Sequence, residues 1–356
     1  MFVENIYIRI LFFLVFFGVS FWGLFLSFWR GSVAFGFNFP IKYIVLVTLL
    51  FFGLVFLWFS FGASGWMMMW VYTSLIVWLM YALWVVLPLF LLRDLISIWY
   101  KIPGFVMIIV TGLYLLVGFY LWMTTKTTNL VLENTGLSRD YRFVFVSDFH
   151  AQALRHESYV QKIVDKIQAL EPDFVLIGGD LLDRVKSEYI QAFLPFNQLD
   201  IPVYATLGNH EKIGKMPLDI SLFEKTNIKF LRNQKIFFED IQLVGIDDKS
   251  FWSGKNLADV LDESEIKDAL YTILISHQPY KLSLMEKYPI DLQLAGHTHR
   301  GQFIPLSWII GLFNDYAYGR YDENGKIVFV SQWVGTWGAP IRIGTQSELV
   351  LVELKR

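Results

Sequence analysis

The residues best suited to chemistry stand in five short motifs. An apolar run, Val144-Phe-Val-Ser-Asp-Phe-His150, ends in a carboxylate and an imidazole two positions apart, Asp148 and His150. Gly178-Gly-Asp-Leu-Leu-Asp-Arg184, Leu207-Gly-Asn-His-Glu211, Ile275-Ser-His-Gln-Pro279 and Ala295-Gly-His-Thr-His-Arg300 follow it along the chain. Five of the six histidines, His150, His210, His277, His297 and His299, fall in these motifs, and only His156 stands apart. Carboxylate, amide and imidazole groups gathered in this way offer mixed oxygen and nitrogen ligands to divalent cations, and suit manganese, iron, zinc or magnesium. Singly, each motif also reads as an ordinary turn; together and in this order they point to one shared metal site. With zero cysteines, the sequence excludes disulfides, thiol redox chemistry and thiolate ligation.

Each motif follows a run that reads as a strand: 142–147, 174–178, 203–207, 271–275 and 291–295. Further strands are expected near 228–231, 235–238, 241–247, 327–330 and 348–353. Between them, Ser158 can cap a helix whose Val160, Ile163, Val164, Ile167 and Leu170 share one face, with Glu171-Pro-Asp173 as its stop. Residues 188–199 and 217–226 also read as helices. Alternating strands and helices followed by strand-rich sequence predict two sheets packed face to face with helices outside, an α/β/β/α sandwich. In open α/β sheets ligands collect at the carboxyl ends of strands, so the motif placement is what a shared site requires.

In these five blocks the sequence resembles the calcineurin-like metallophosphoesterase superfamily, whose pattern is Asp-x-His, Gly-Asp-x-x-Asp, Gly-Asn-His-Asp/Glu, a lone His, and Gly-His-x-His. The resemblance covers about residues 140–355. It implies a phosphoric ester hydrolase with two cations, and a single carboxylate can bridge cations about 3.5–4 Å apart that clamp a phosphoryl group and supply a hydroxide. Asp180 is the expected bridge. By resemblance Asp148, His150 and His299 join it at one metal, and Asn209, His277 and His297 at the other. His210 is expected to face the substrate as an acid or stabiliser of the leaving oxygen, with the Asp183 carboxylate orienting its ring. Arg184 and Arg300 are the candidate substrate-binding residues, with Arg184 either meeting phosphate or holding its loop. With Gly-His-Thr-His-Arg-Gly-Gln302, the tail Gln332-Trp-Val-Gly-Thr-Trp-Gly-Ala-Pro-Ile-Arg342 looks like the YkuE/YaeI branch, although the usual glycine after His299 is Arg300 here.

The remaining composition concerns location. The chain is 55% hydrophobic and 18% aromatic, and residues 1–125 hold only Glu4, Arg9, Arg30, Lys42, Arg93, Asp94 and Lys101 as charged groups. Apolar blocks at 6–29, 43–62, 67–92 and 103–123 approach or exceed the roughly 20 residues of a membrane span. The expectation is therefore a four-helix transmembrane domain over 1–125, a linker over 126–139 and the phosphoesterase over 140–356. Without a central acid–base pair in any block, an anchor is preferred to a transporter. A multi-pass protein of a bacterial inner membrane follows, with loop charges tilting the catalytic domain slightly to the extracytoplasmic side. Beyond residue 125 the 25 Lys and Arg are outnumbered by 30 Asp and Glu. That mild acidity argues against nucleic acid as a partner.

One more stretch bears on substrate. Phe303-Ile-Pro-Leu-Ser-Trp-Ile-Ile-Gly-Leu-Phe313 is unusually apolar for a loop beside a metal site, so it either packs on the core or meets membrane lipid and acyl chains. With the anchor, it favours a phosphorylated, lipid-linked small molecule as substrate. Two other readings are a membrane-tethered phosphodiesterase of soluble nucleotides and a catalytically silent scaffold, which metal content and a substrate comparison would separate.

Overall fold

The structure is a computed structural model that describes residues 104–133, 135–152, 157–212, 217–268, 271–304, 306–312, 314–337 and 341–356, together with Tyr43, Val45 and Leu46. The apolar blocks expected as the first three spans, those three residues apart, and His156 lie outside the described residues. The chain divides into two compact units, Met1–Leu116 and Val117–Arg356, and the division falls within helix α1, Gly104–Met123.

Helix α1 carries 20 residues and no charged side chain. The side chains of most of its first two turns are outside the described set, and among the described residues no helix is long and apolar enough to cross a membrane. Its described later turns expose Val117, Phe119, Tyr120 and Met123.

Two six-stranded sheets build the second unit. The first runs β1 (Thr125–Leu132), β12 (Ser347–Leu354), β2 (Tyr141–Val146), β3 (Phe174–Ile177), β4 (Val203–Ala205) and β5 (Ile228–Phe230). The second runs β10 (Gly319–Glu323), β11 (Lys326–Val330), β9 (Leu292–Ala295), β8 (Tyr271–Ile275), β7 (Ile241–Gly245) and β6 (Gln234–Phe238). Period-two side-chain alternation explains why both faces of these strands are apolar. In β2, Phe143 and Phe145 enter the core shared with Phe174, Leu243, Ile273 and Leu294, where the sheets meet. Val144 and Val146 point the other way, into a core with Val160, Ile163, Val164 and Ile167 of α2 (Glu157–Ala169). The second sheet has its own outer layer, where Val244, Leu274 and Val328 meet Leu257, Val260 and Leu261 of a further helix, Leu257–Glu263. Each fully buried large apolar side chain of this kind contributes about 1.5–3 kcal/mol. The result is the two-sheet α/β/β/α arrangement expected from the strand pattern.

Several local expectations change. Part of the segment expected as a linker is β1, which pairs in parallel with β12 from Thr125↔Ser347 to Leu132↔Leu354. Its sequence, TKTTNLVL, is polar because one row of side chains stays exposed at a sheet edge, so it lacks the apolar run of an inner strand. Residues 187–198 make one α-turn, Ser187–Ile190, and then a tighter 3-10 helix, Gln191–Gln198, which holds Pro195, a residue with no backbone N–H for an α-helical bond. Within 217–226 only Ile220–Phe223 is helical, as a 3-10 turn. The helix Leu257–Glu263 was not expected, although Asn256 and Asp259 form a reciprocal capping box at its start.

Candidate metal centre

All the candidate ligands come from turns that leave the ends of strands. Asp148 and His150 follow β2, Asp180 follows β3, Asn209 and His210 follow β4, His277 follows β8, and His297 and His299 follow β9. Backbone hydrogen bonds continue the sheet into these turns: Asp148 N–H donates to the Gly179 carbonyl and His150 N–H to the Asp180 carbonyl, both at 3.0 Å. The second sheet is tied in by Asp248 N–H, which donates to the Leu207 carbonyl at 2.9 Å.

The backbone is bent hard to bring these side chains together. Asp148, His150, Asp180, His297 and His299 all have left-handed φ, between 46° and 68°. Such conformations cost non-glycine residues on the order of 1–3 kcal/mol each and persist where the surroundings dictate them. Close approach accounts for two glycines. A Cβ on Gly208 would strike the Asp180 carboxylate, and one on Gly296 would strike that of Asp148.

Ligand atoms gather around two centres, His150 and His277, and a His210 ring nitrogen also comes within 4.8 Å of ligand atoms of His150 and Asp180. Asp148, His150 and His299 present donor atoms all within 4.8 Å of one another. His150 Nε2 lies 3.9 Å from Asp148 Oδ1 and 3.7 Å from Asp180 Oδ2. The buried Asp148 Oδ1 and His299 Nδ1 have no hydrogen-bond partner among the described residues, which is costly unless a cation takes those lone pairs. In the second group His277 is central. Its Nδ1 faces the Gly178 carbonyl at 3.0 Å and must donate there, so in the neutral ring Nε2 is a lone pair. That lone pair faces Asn209 Oδ1 at 3.0 Å, His297 Nδ1 at 3.1 Å and Asp180 Oδ2 at 3.2 Å. Donors about 2.1 Å from a common cation stand roughly 3.0–3.5 Å apart, so these separations fit a metal.

Electrostatics agree. Burial disfavours a charged His277, yet the Asp180 and Asp148 carboxylates outweigh it and raise the ring well above its ordinary pKa. Nε2 therefore calls for a positive charge, which a proton or a metal can supply. Burial also opposes ionisation of Asp180, but His277, His150 and His210 hold it below the usual carboxylate range. Burial pushes Asp148 up to about 7, and burial with its His150 neighbour keeps His299 neutral and ready to ligate.

His210 is placed by its backbone and its ring. Its N–H donates to Asp180 Oδ1 at 2.9 Å, and its Nδ1 donates to the main-chain carbonyl of Asp183 at 2.8 Å. The expected carboxylate partner is thus replaced by the same residue's carbonyl, while the Asp183 carboxylate lies 3.6 Å from His150 Nδ1. Arg300 stacks 4.3 Å from the centre of the Tyr318 ring and donates to Gln332 Oε1 at 3.4 Å. Arg184 is exposed.

Three supporting residues had no assigned role in the motif reading. Glu211, fully buried, accepts backbone N–H groups from Gly208 at 2.7 Å, Asp180 at 2.9 Å and Leu182 at 3.0 Å, locking two ligand turns together. Burial and the Asp180 charge draw its pKa up to about 7 against those donors. Arg342, also fully buried, donates through Nη2 to the carbonyls of Gly335, Gln332 and Trp333. Trp333 abuts the His299 ring, so Arg342 fixes the turn behind that ligand. Glu211 ends the Gly-Asn-His-Glu motif and was visible as such; Trp333 and Arg342 stand in the Gln332–Arg342 tail motif, which marked the branch but assigned neither a role.

The model of the calcineurin-like phosphoesterase family matches residues 141–301. A Helicobacter pylori protein named as an uncharacterized metallophosphoesterase is 31% identical over 258 residues, 68% of this chain and 69% of the relative. The chain belongs to the calcineurin-like phosphoesterases. Among other members of the family, YkuE of Bacillus subtilis is 25% identical over 230 residues, 60% of this chain and 79% of the relative. A Danio rerio protein named "transmembrane protein with metallophosphoesterase domain" is 32% identical over 232 residues, 60% of this chain but only 53% of the relative. As a calcineurin-like phosphoesterase, the chain is a metal-dependent phosphoester hydrolase.

Proposed function

We propose that this phosphoesterase is a membrane-anchored, dinuclear enzyme that cleaves a phosphoester or pyrophosphate bond of an amphiphilic, lipid-linked molecule. The crowding of acceptor atoms around His277 Nε2 carries the metal assignment. Asp180 would be the ligand common to two cations, with Asp148, His150 and His299 holding one and Asn209, His277 and His297 the other. When bound, the two cations hold the phosphoryl group and supply a hydroxide near neutral pH. Manganese is the first metal to test, before iron, zinc and magnesium.

The chain's own residues handle orientation and protons. The His210 N–H fixes the bridging carboxylate through Asp180 Oδ1. Because His210 Nδ1–H is committed to the Asp183 carbonyl, protons enter and leave that ring at Nε2, 4.0 Å from Asp180 Oδ2, where it serves the leaving oxygen. The Asp183 carboxylate orients His150 from the side away from the cation. Arg300 is the stronger candidate for phosphate, and Arg184 can reach a substrate only from its exposed loop.

The lipid preference is supported by the apolar segment that follows Gln302. Phe303 and Ile304 pair back onto Ile343, but Trp308 and Leu312 are 71% and 79% exposed. The uncharged α1 and the name of the Danio rerio relative support the anchor. Membrane lipids are then the partners, in a bacterial inner membrane with the catalytic unit facing away from the cytoplasm.

The test uses full-length, detergent-purified, manganese-loaded protein. Asp180→Ala or Asn209→Ala should abolish turnover of a chromogenic phosphodiester; full activity would overturn the metal assignment. For the substrate, serine at both Trp308 and Leu312 should lower the ratio of lipid-phosphate to cyclic-nucleotide turnover. An unchanged ratio, with cyclic nucleotides preferred, points instead to a tethered nucleotide phosphodiesterase.

A further inference from the structure

Behind Arg300 lies a buried carboxylate that the metal chemistry does not use. Glu348 of β12 has no exposed surface and stands opposite Lys126 of β1 in the parallel pair. Its Oε1 accepts from Thr128 Oγ1 at 2.6 Å, Tyr318 OH at 2.9 Å and Lys126 Nζ at 3.2 Å. Its Oε2 accepts from the Gln332 N–H at 2.9 Å and Ser331 Oγ at 3.3 Å. A buried carboxylate needs such donors to offset its lost hydration. What matters here is what two of them do on their other sides.

Tyr318 offers its ring face to the Arg300 guanidinium. Gln332 donates through Nε2 to Glu348 Oε1 at 3.4 Å and accepts through Oε1 from Arg300 Nη1, also at 3.4 Å. A carboxylate can only accept, so Glu348 compels the amide nitrogen of Gln332 to face it and the amide oxygen to face Arg300. The turn that carries Arg300 is itself tied to the Tyr318 segment, because Thr298 Oγ1 donates to the Ala317 carbonyl at 2.6 Å. Arg300 spends one N–H on Gln332 and none on stacking, which leaves guanidinium donors for an anion next to the ligand His299.

We propose that Glu348 is a positioning residue for phosphate recognition. Acting through Tyr318 and Gln332, it holds Arg300 as the clamp on the anionic oxygens of the substrate. Through Lys126 and Thr128 it ties that clamp to β1, the strand that leaves α1. This rests on the reading of the site as a phosphoester hydrolase, with Arg300 on the substrate side.

The experiment is a double-mutant cycle on full-length, manganese-loaded protein, with bis(p-nitrophenyl) phosphate as substrate and inorganic phosphate as competing anion. Glu348→Gln should raise KM about 10-fold and Tyr318→Phe about 3-fold, in line with losing the whole carboxylate network and a single one of its hydrogen bonds. The inhibition constant of phosphate should rise by the same factors, with kcat and metal content little changed. In an Arg300→Ala background neither substitution should raise KM further. Should Glu348→Gln fail to fold, Tyr318→Phe removes only a hydroxyl and carries the cycle alone. Multiplying effects in the Arg300→Ala background, or a fall in kcat with KM unchanged, would overturn the proposal. Asp180→Ala separates the two levels: if it stays active, the hydrolase reading fails, whereas if it is dead and the cycle is additive, only the role of Glu348 fails.

Discussion

The two halves of the metal centre are built differently. Around His277 three donor atoms stand 3.0–3.2 Å from Nε2, and the ring is aimed by a hydrogen bond to a strand-end carbonyl. Around His150 the donors are looser, at 3.7 and 3.9 Å, and the His150 ring is flanked by the Asp183 carboxylate at 3.6 Å and by neighbouring rings. His150 stacks on His299 with centroids 5.3 Å apart, and Trp333 closes the pocket behind them. Left-handed backbone follows the same division. Asp148, His150 and His299 all adopt it, but of Asn209, His277 and His297 only His297 does. One half is thus set by the regular sheet, while the other is set by strained turns that need outside support.

That contrast can be broken in order of expected effect. Asp180→Ala removes the ligand common to both halves and should lower turnover at least about 1,000-fold, measured with a chromogenic phosphodiester. His277→Ala and His299→Ala should each leave one tightly held metal per chain by elemental analysis; two metals retained in either variant would undo the division. Gly296→Ala should act on the Asp148 half and Gly208→Ala on the bridging carboxylate, because each added Cβ collides there. In calorimetric titration Gly208→Ala should weaken both binding events and Gly296→Ala only one. The smallest effect is expected from Asp183→Asn, which should cost about 10-fold in affinity for the His150 metal alone, as an orienting carboxylate does.

Much of the sandwich was legible because its strands are apolar on both faces, as in Phe143-Val-Phe-Val146, and such runs have few other homes. The ligand set was legible because metal chemistry restricts residue types at strand ends. What stayed hidden depends on main-chain groups or on distant pairing. The partner of His210 is the Asp183 carbonyl, a group every residue owns, so no side-chain pattern can announce it. Likewise β1 is polar, and its strand identity comes from β12. Arg342 and Glu348 carry no spacing that announces their partners, and only the fold shows that each gathers donors or acceptors from several turns.

The pairing of β1 with β12 also sets a timetable. β1 is made before any other strand of its sheet, yet its partner is synthesised roughly two hundred residues later, and contacts of such long range close slowly. Until β12 arrives between them, β1 and β2 each present an open edge able to pair with the wrong chain. The threonine-rich sequence of β1, with Lys126 near its start, then acts as a safeguard during biogenesis, because a polar edge waits in water with little tendency to aggregate.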